Sequence, residues 1–251
     1  MSKLNRACGS VVAGLALGAG CLHSASAEDV AKSKGEEKMK ESSVRRVVCF
    51  GDSITGYRPG VPYYHMFIKW TDWMQFGLDQ HFGEGKVEVI NSGYAGDATF
   101  PMGDCPGGLS RVEADILKWK PEVAVILFGV NNFSMKGERE EVLKTIRDDV
   151  TTIVRQTKEA GIKVLLLQYA KKRTRDGVVT WSSFKDVNAV IAEIAKAEGV
   201  ELLALEPIFE ETAKTQPVEA LFSEDGIHTN PYGEVIIARV VMKKVMEMMG
   251  K

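Results

Sequence analysis

The sequence predicts an α/β domain in which a five-stranded parallel sheet lies between two layers of helices, a three-layer α/β/α sandwich. Three observations predict it. Short apolar runs rich in β-branched residues recur at 44–50, 87–91, 123–128, 164–168 and 200–205, each continuous rather than alternating, as in strands covered on both faces. Longer segments with apolar residues at helical spacing lie between them. Strand and helix therefore alternate, and right-handed crossovers turn that alternation into a parallel sheet whose functional loops lie beyond the carboxyl ends of the strands.

Composition narrows the function classes. Of 251 residues, 45% are hydrophobic and 26% charged, which is globular rather than disordered or multi-pass membrane composition. Lys plus Arg number 32 against 34 Asp plus Glu, a formal net charge of −2; no basic surplus invites nucleic acid. With four cysteines, four histidines and no pair of either at metal-ligand spacing, neither a disulfide scaffold nor a required metal is expected, and no cofactor motif is present.

Taken in order, the chain opens with Lys3 and Arg6, an apolar stretch over 7–22, and the small-residue run His23-Ser24-Ala25-Ser26-Ala27. Residues 1–27 read as a secretory signal peptide cleaved after Ala27, giving an exported protein, periplasmic or secreted. An apolar run of about 16 Gly- and Ala-rich residues is short for a membrane span, which needs roughly 20, so no integral span is expected after cleavage. Lipid attachment at Cys21 is the alternative, because Gly18-Ala19-Gly20-Cys21 resembles a lipobox, with Gly18 where an aliphatic residue is usual. Loss of Lys3 and Arg6 with the leader takes the formal charge from −2 to −4.

Residues 28–45 contain no aromatic residue and only Val30, Met39 and Val44 as sizeable apolar groups; such a stretch buries too little to offset its ordering entropy and reads as a flexible polar spacer. Residues 46–251 form the domain. Within it, Val142, Ile146, Val150 and Ile153 define a helix over 140–160 with Gly161 as its stop. Asn230-Pro231 supplies a cap and a first-turn proline for a last helix over 231–249.

The loops after the strands carry the chemistry. The first strand runs into Gly51-Asp52-Ser53-Ile54-Thr55-Gly56, which sets an accessible hydroxyl at a strand-to-helix turn where glycines let backbone N–H groups face a developing negative charge. It lacks the Lys and spacing of a phosphate-binding loop. The second strand ends in Asn91-Ser92-Gly93-Tyr94-Ala95-Gly96-Asp97, the third in Gly129-Val130-Asn131-Asn132, and Asp225-Gly226-Ile227-His228-Thr229-Asn230 precedes the last helix.

Four such elements in this order resemble the SGNH (GDSL-type) hydrolase superfamily, whose four blocks match Gly51 to Ser53, Gly96, Gly129 to Asn131, and Asp225 to His228. The resemblance reaches from residue 47 to the last helix. It implies a flavodoxin-like sheet and a serine esterase in which Ser53 is the nucleophile, His228 its general base and Asp225 the group that orients that base. It also implies an oxyanion hole made by the backbone N–H groups of Ser53 and Gly96 and the side chain of Asn131. The physical reading agrees: a serine hydroxyl is a poor nucleophile until an imidazole takes its proton, and the imidazole needs a partner to fix its tautomer. Two departures stand out. Asn132 replaces the Asp usual at that point, which changes loop support rather than chemistry, and the segment 100–106 is an insertion before Leu109 and Arg111.

Other polar residues have ordinary readings. Asp52 and Asp97 bond nearby backbone N–H groups rather than act as acids, and His65 and His81 pack among aromatics or face solvent. Cys49 and Cys105 read as free thiols, although an exported compartment permits a bridge. The run Lys171-Lys172-Arg173-Thr174-Arg175 is a solvated basic loop, or else meets an acidic polysaccharide with Trp181 or Tyr94 stacked on a sugar. The expected partner is a small-molecule or polysaccharide ester, and the expected activity is hydrolysis of short-chain esters, acetyl above all, on carbohydrate. Competing readings are a lipase or lysophospholipase acting on longer chains and, from a different class, a non-catalytic carbohydrate-binding module.

Overall fold

Five parallel strands form one sheet in the order β2-β1-β3-β4-β5, in a computed structural model that describes residues 44–57, 68–134, 137–170, 183–217 and 220–250. The leader 1–27, the spacer as far as residue 43, His65 and the basic loop with Trp181 lie outside the described residues. The strands are β1 (Arg45–Gly51), β2 (Val87–Gly93), β3 (Val123–Leu127), β4 (Lys163–Gln168) and β5 (Glu201–Ala204). Between and after them come α1 (Trp70–Phe82), α2 (Gly108–Asp115), α3 (Arg139–Glu159), α4 (Ser183–Glu198), α5 (Glu206–Thr212) and α6 (Pro231–Met248). This is the flavodoxin-like order, in which α1 pairs with α6 while α2, α3 and α4 pack in succession. The expected three-layer sandwich is what the chain forms.

Each element follows from its residues. β1 from Val47 onward and the whole of β3 are buried, as continuous Val, Ile and Phe runs require when helices cover both faces. β2 and β5 depart from that expectation and are half exposed. They are the edges of the sheet, and Glu88 of β2 reaches Arg46 of β1 at 2.8 Å on the exposed side. In α3 the apolar stripe Val142, Ile146, Val150 and Ile153 is buried, and Gly161, at φ +78°, takes the left-handed turn beyond its end. Asn230 caps α6 by accepting hydrogen bonds from the N–H groups of Tyr232 and Gly233 (3.0 and 3.1 Å), with Pro231 in the first turn.

The topology places the site. The chain leaves β1 toward β2 on one side and reaches β3 on the other, so the loops after β1 and β3 part at a topological switch point and leave a crevice at the carboxyl ends of the strands. The loop after β2 meets the turn after β1 backbone to backbone: a Cβ added at Gly93 would lie 2.3 Å from the Gly56 nitrogen. Gly93→Ala must therefore push the two loops apart, at a cost of about 1–3 kcal/mol. Urea denaturation checks this, and a loss below about 0.5 kcal/mol, the size of an ordinary surface change, would contradict the packing.

Candidate active site

The serine turn begins where β1 ends. The N–H groups of Thr55 and Gly56 both donate to the Asp52 carbonyl (3.1 and 2.9 Å), closing a tight turn with Ser53 at its apex. Asp52 is buried; its Oδ1 accepts from the Ile54 N–H at 2.9 Å, and its Oδ2 accepts from the Tyr169 hydroxyl at the end of β4. Asp52 thus bonds a nearby backbone N–H as expected, with a buried phenol as an additional partner.

His228 arrives from the far end of the chain. A loop between α5 and α6 is closed by the bridge between Phe222 and Thr229 and by a bond from the Ser223 N–H to the His228 carbonyl (2.8 Å). Within it Asp225 Oδ1 accepts from the backbone N–H groups of Ile227 and His228 (2.8 and 3.0 Å), which turns Oδ2 to His228 Nδ1 at 2.6 Å. The other ring nitrogen, Nε2, lies 2.9 Å from Ser53 Oγ. An ionised Asp225 can only accept, so Nδ1 carries the proton and Nε2 is left to accept from the serine hydroxyl. Partial burial pushes the Asp225 carboxyl up, but the hydrogen bonds from the His228 ring and the two backbone N–H groups outweigh it and hold the carboxyl below its ordinary range. Ser53, His228 and Asp225 are thus brought together in a continuous chain of hydrogen bonds.

Gly96 and Asn131 lie in the two loops beside this chain. Gly96 has φ +83°, a backbone geometry open to glycine but strained for other residues. Among the described residues, the N–H groups of Ser53 and Gly96 make no bond to another backbone carbonyl in their turns. Asn131 uses one N–H of its amide to reach the Asp97 carbonyl at 2.8 Å, tying the loop after β3 to the loop after β2 and leaving a second N–H. Asn132 has the supporting role expected of it: buried, it accepts from the Thr99 N–H (3.1 Å) and donates to Thr99 Oγ1 (2.7 Å). The segment 100–106 closes on itself through paired backbone bonds between Met102 and Cys105.

Asp97 anchors the same loop. One carboxylate oxygen accepts from the Gly107 N–H (2.8 Å) and the other from the guanidinium of Arg111 (2.8 and 3.0 Å), which lies 4.6 Å from the centre of the Phe50 ring. Burial raises the Asp97 pKa against the opposing pull of Arg111. Cys49 and Cys105 are both buried, with the Cys105 thiol 4.0 Å from the Ala95 carbonyl, and His81 is an exposed residue at the end of α1, set edge-on to Phe82.

Sequence reasoning missed a second set of polar residues at the serine turn. Lys69, just before α1, and Glu234 in the first turn of α6 are buried beneath it, and Trp70 Nε1 donates to the Ile54 carbonyl at 3.1 Å. Only the acid three residues into α1, Asp72, which accepts from the Lys69 N–H at 2.7 Å, carries a local signal in the sequence. Burial raises the Glu234 pKa, opposed by Lys69, the Thr229 hydroxyl and the Trp70 N–H.

Complete burial pushes Asp52 up to about 6, against the lowering effects of Tyr169, the Ile54 N–H, His228 and Lys69. The folded carboxyl binds its proton more tightly than the unfolded one, so between about pH 4 and pH 6 the folded state holds more protons and stability falls as pH rises. Asp52→Asn removes that contribution. Its stability relative to the parent, from urea denaturation, should rise by up to about 3 kcal/mol across this window; a difference independent of pH would contradict the assignment.

No curated protein matches the sequence. Among solved structures, the lipase/acylhydrolase from Enterococcus faecalis matches with a TM-score of 0.63 at 22% identity, over 80% of this chain and 95% of its own. Axe2, an acetylxylan esterase from Geobacillus stearothermophilus, matches with a TM-score of 0.63 at 20% identity, over 80% and 94%. The acetyl xylan esterase AlAXEase matches with a TM-score of 0.62 at 22% identity, over 80% and 99%. Likenesses at these identities speak for the fold. The family match is of another kind, running over residues 49–236 and taking in Ser53, Gly96, Asn131, Asp225 and His228: the chain belongs to the GDSL-like lipase/acylhydrolase family and is a serine esterase.

Proposed function

We propose that the protein is an exported esterase that removes short acyl groups, acetyl above all, from carbohydrate through an acyl-enzyme on Ser53. The observation that carries this reading is the pair of contacts at His228, Nε2 to Ser53 Oγ at 2.9 Å and Nδ1 to Asp225 Oδ2 at 2.6 Å. Ser53 Oγ attacks the ester carbonyl as His228 Nε2 takes its proton, and Asp225 holds the imidazolium that forms. The carbonyl oxygen becomes an oxyanion facing the N–H groups of Ser53 and Gly96 and the second N–H of Asn131. Each such donor is worth about 3–4 kcal/mol in the transition state. His228 then returns the proton to the leaving alcohol. Water, activated by the same imidazole, attacks the acyl-serine and releases the acid.

The substrate class is supported by the structural neighbours that are named acetyl xylan esterases, and export by the leader-like residues 1–27. Ser53→Ala should lower kcat on p-nitrophenyl acetate by about 10⁴-fold or more; substantial residual turnover would refute Ser53 as nucleophile. In a series from acetyl to octanoyl esters, kcat/KM should fall as the chain lengthens. A rise with length would favour the lipase reading, and turnover of acetylated xylo-oligosaccharides measured beside the series tests the carbohydrate part.

A further inference from the structure

Lys69 is 4% exposed and Glu234 is fully buried, a position that charged residues occupy only when compensated. Lys69 Nζ donates to the Ser53 carbonyl at 2.8 Å, lies 3.7 Å from Glu234 Oε1, and stands 5.5 Å from the centre of the Tyr57 ring. Glu234 in turn accepts from the Trp70 N–H through Oε2 (2.6 Å) and from the Thr229 hydroxyl through Oε1 (2.7 Å). Thr229 directly follows His228. A single buried ion pair therefore touches both the residue that bears the nucleophile and the neighbour of the base.

The peptide between Ser53 and Ile54 is held at both ends. Its carbonyl oxygen accepts from Lys69, and its N–H donates to Asp52 Oδ1 at 2.9 Å. Two buried groups of opposite charge thus grip one peptide plane, which fixes the backbone of Ser53 and the direction in which its Cβ and Oγ project. Stability alone gives a weak reason for such a pair, because replacing a buried ion pair by apolar side chains of similar volume is often neutral or favourable. Geometry gives a strong one, since a misplacement of about 1 Å at a reacting atom can cost on the order of 10²-fold in rate.

We infer that Lys69 is a positioning residue for the esterase reaction, clamping the nucleophile turn and, through Glu234 and Thr229, holding it against the base loop. This rests on Ser53 being the nucleophile. The test compares the parent with Lys69→Met and Lys69→Met/Glu234→Gln on p-nitrophenyl acetate, with active serine counted by fluorophosphonate titration and melting temperature measured on the same samples. Lys69→Met should lose about 10- to 100-fold in kcat per active serine with KM little changed. Its unpaired Glu234 should lower the melting temperature, and the double variant should recover that temperature without recovering kcat. A kcat within about twofold of the parent, a loss confined to KM, recovery of kcat together with melting temperature, or failure of the double variant to fold would each make the pair structural and overturn the inference. Residual turnover in Ser53→Ala is a separate result, which would overturn the nucleophile assignment instead.

Discussion

Every carbonyl oxygen from Gly51 to Thr55 is occupied. The Gly51 carbonyl accepts from the Tyr94 N–H (2.9 Å), that of Asp52 from Thr55 and Gly56, and that of Ser53 from Lys69; the Ile54 carbonyl accepts from Trp70 Nε1 and that of Thr55 from Asn91 Nδ2 (2.8 Å). A turn satisfied in this way cannot change its backbone without stranding a polar group away from water, at about 1–3 kcal/mol each. The Ser53 hydroxyl is spent on His228, while its N–H has no backbone partner among the described residues. Beyond Thr55 and Gly56 of the turn itself, the donors come from Lys69 and Trp70 at the start of α1, from the end of β2 and from the loop beyond it, so the place of Ser53 is set by these elements and not by the turn alone.

The same device recurs with charge. Asp52 is held between Tyr169 and the Ile54 N–H, Asp97 between Arg111 and the Gly107 N–H, and Glu234 between Lys69, Thr229 and the Trp70 N–H. Each carboxylate is buried, and each meets a backbone N–H of the loop or helix end it fixes. Such groups add little net stability, because desolvation offsets most of the attraction. What they add is direction. A carboxylate that receives a backbone N–H on one oxygen and a side-chain donor on the other fixes both against rotation, and the loops after β1 and β2 each have one, Asp52 and Asp97. Asp225 repeats the pattern in the base loop, where two backbone N–H groups on Oδ1 aim Oδ2 at the imidazole.

How much of this was legible in the sequence depends on distance along the chain. Asp225 and His228 are three residues apart and Ser53 sits between turn glycines, so their pairing is written locally and could be read. The parallel sheet followed from alternation and its flavodoxin-like type from the family pattern, and Asn230, Pro231 and Gly161 marked helix ends through their capping and turn chemistry. Lys69 and Glu234 are separated by most of the domain, and neither type signals burial, so only the fold brings them together. Tyr169 had the same disadvantage: at the end of an apolar strand it reads as core, and its bond to Asp52 has a sequence separation of 117. The edges of the sheet were misjudged for a related reason, since a continuous apolar run does not reveal whether a neighbouring strand lies on one side or on both.

The central claim is that His228, aimed by Asp225, activates Ser53 within a rigid turn. Fluorophosphonate labelling followed by peptide mass mapping, on the parent and on His228→Ala, tests it most directly. The expected result is a single adduct on Ser53 in the parent and its near-complete loss without the imidazole. An adduct on another residue, or one on Ser53 that forms equally fast in His228→Ala, would contradict it.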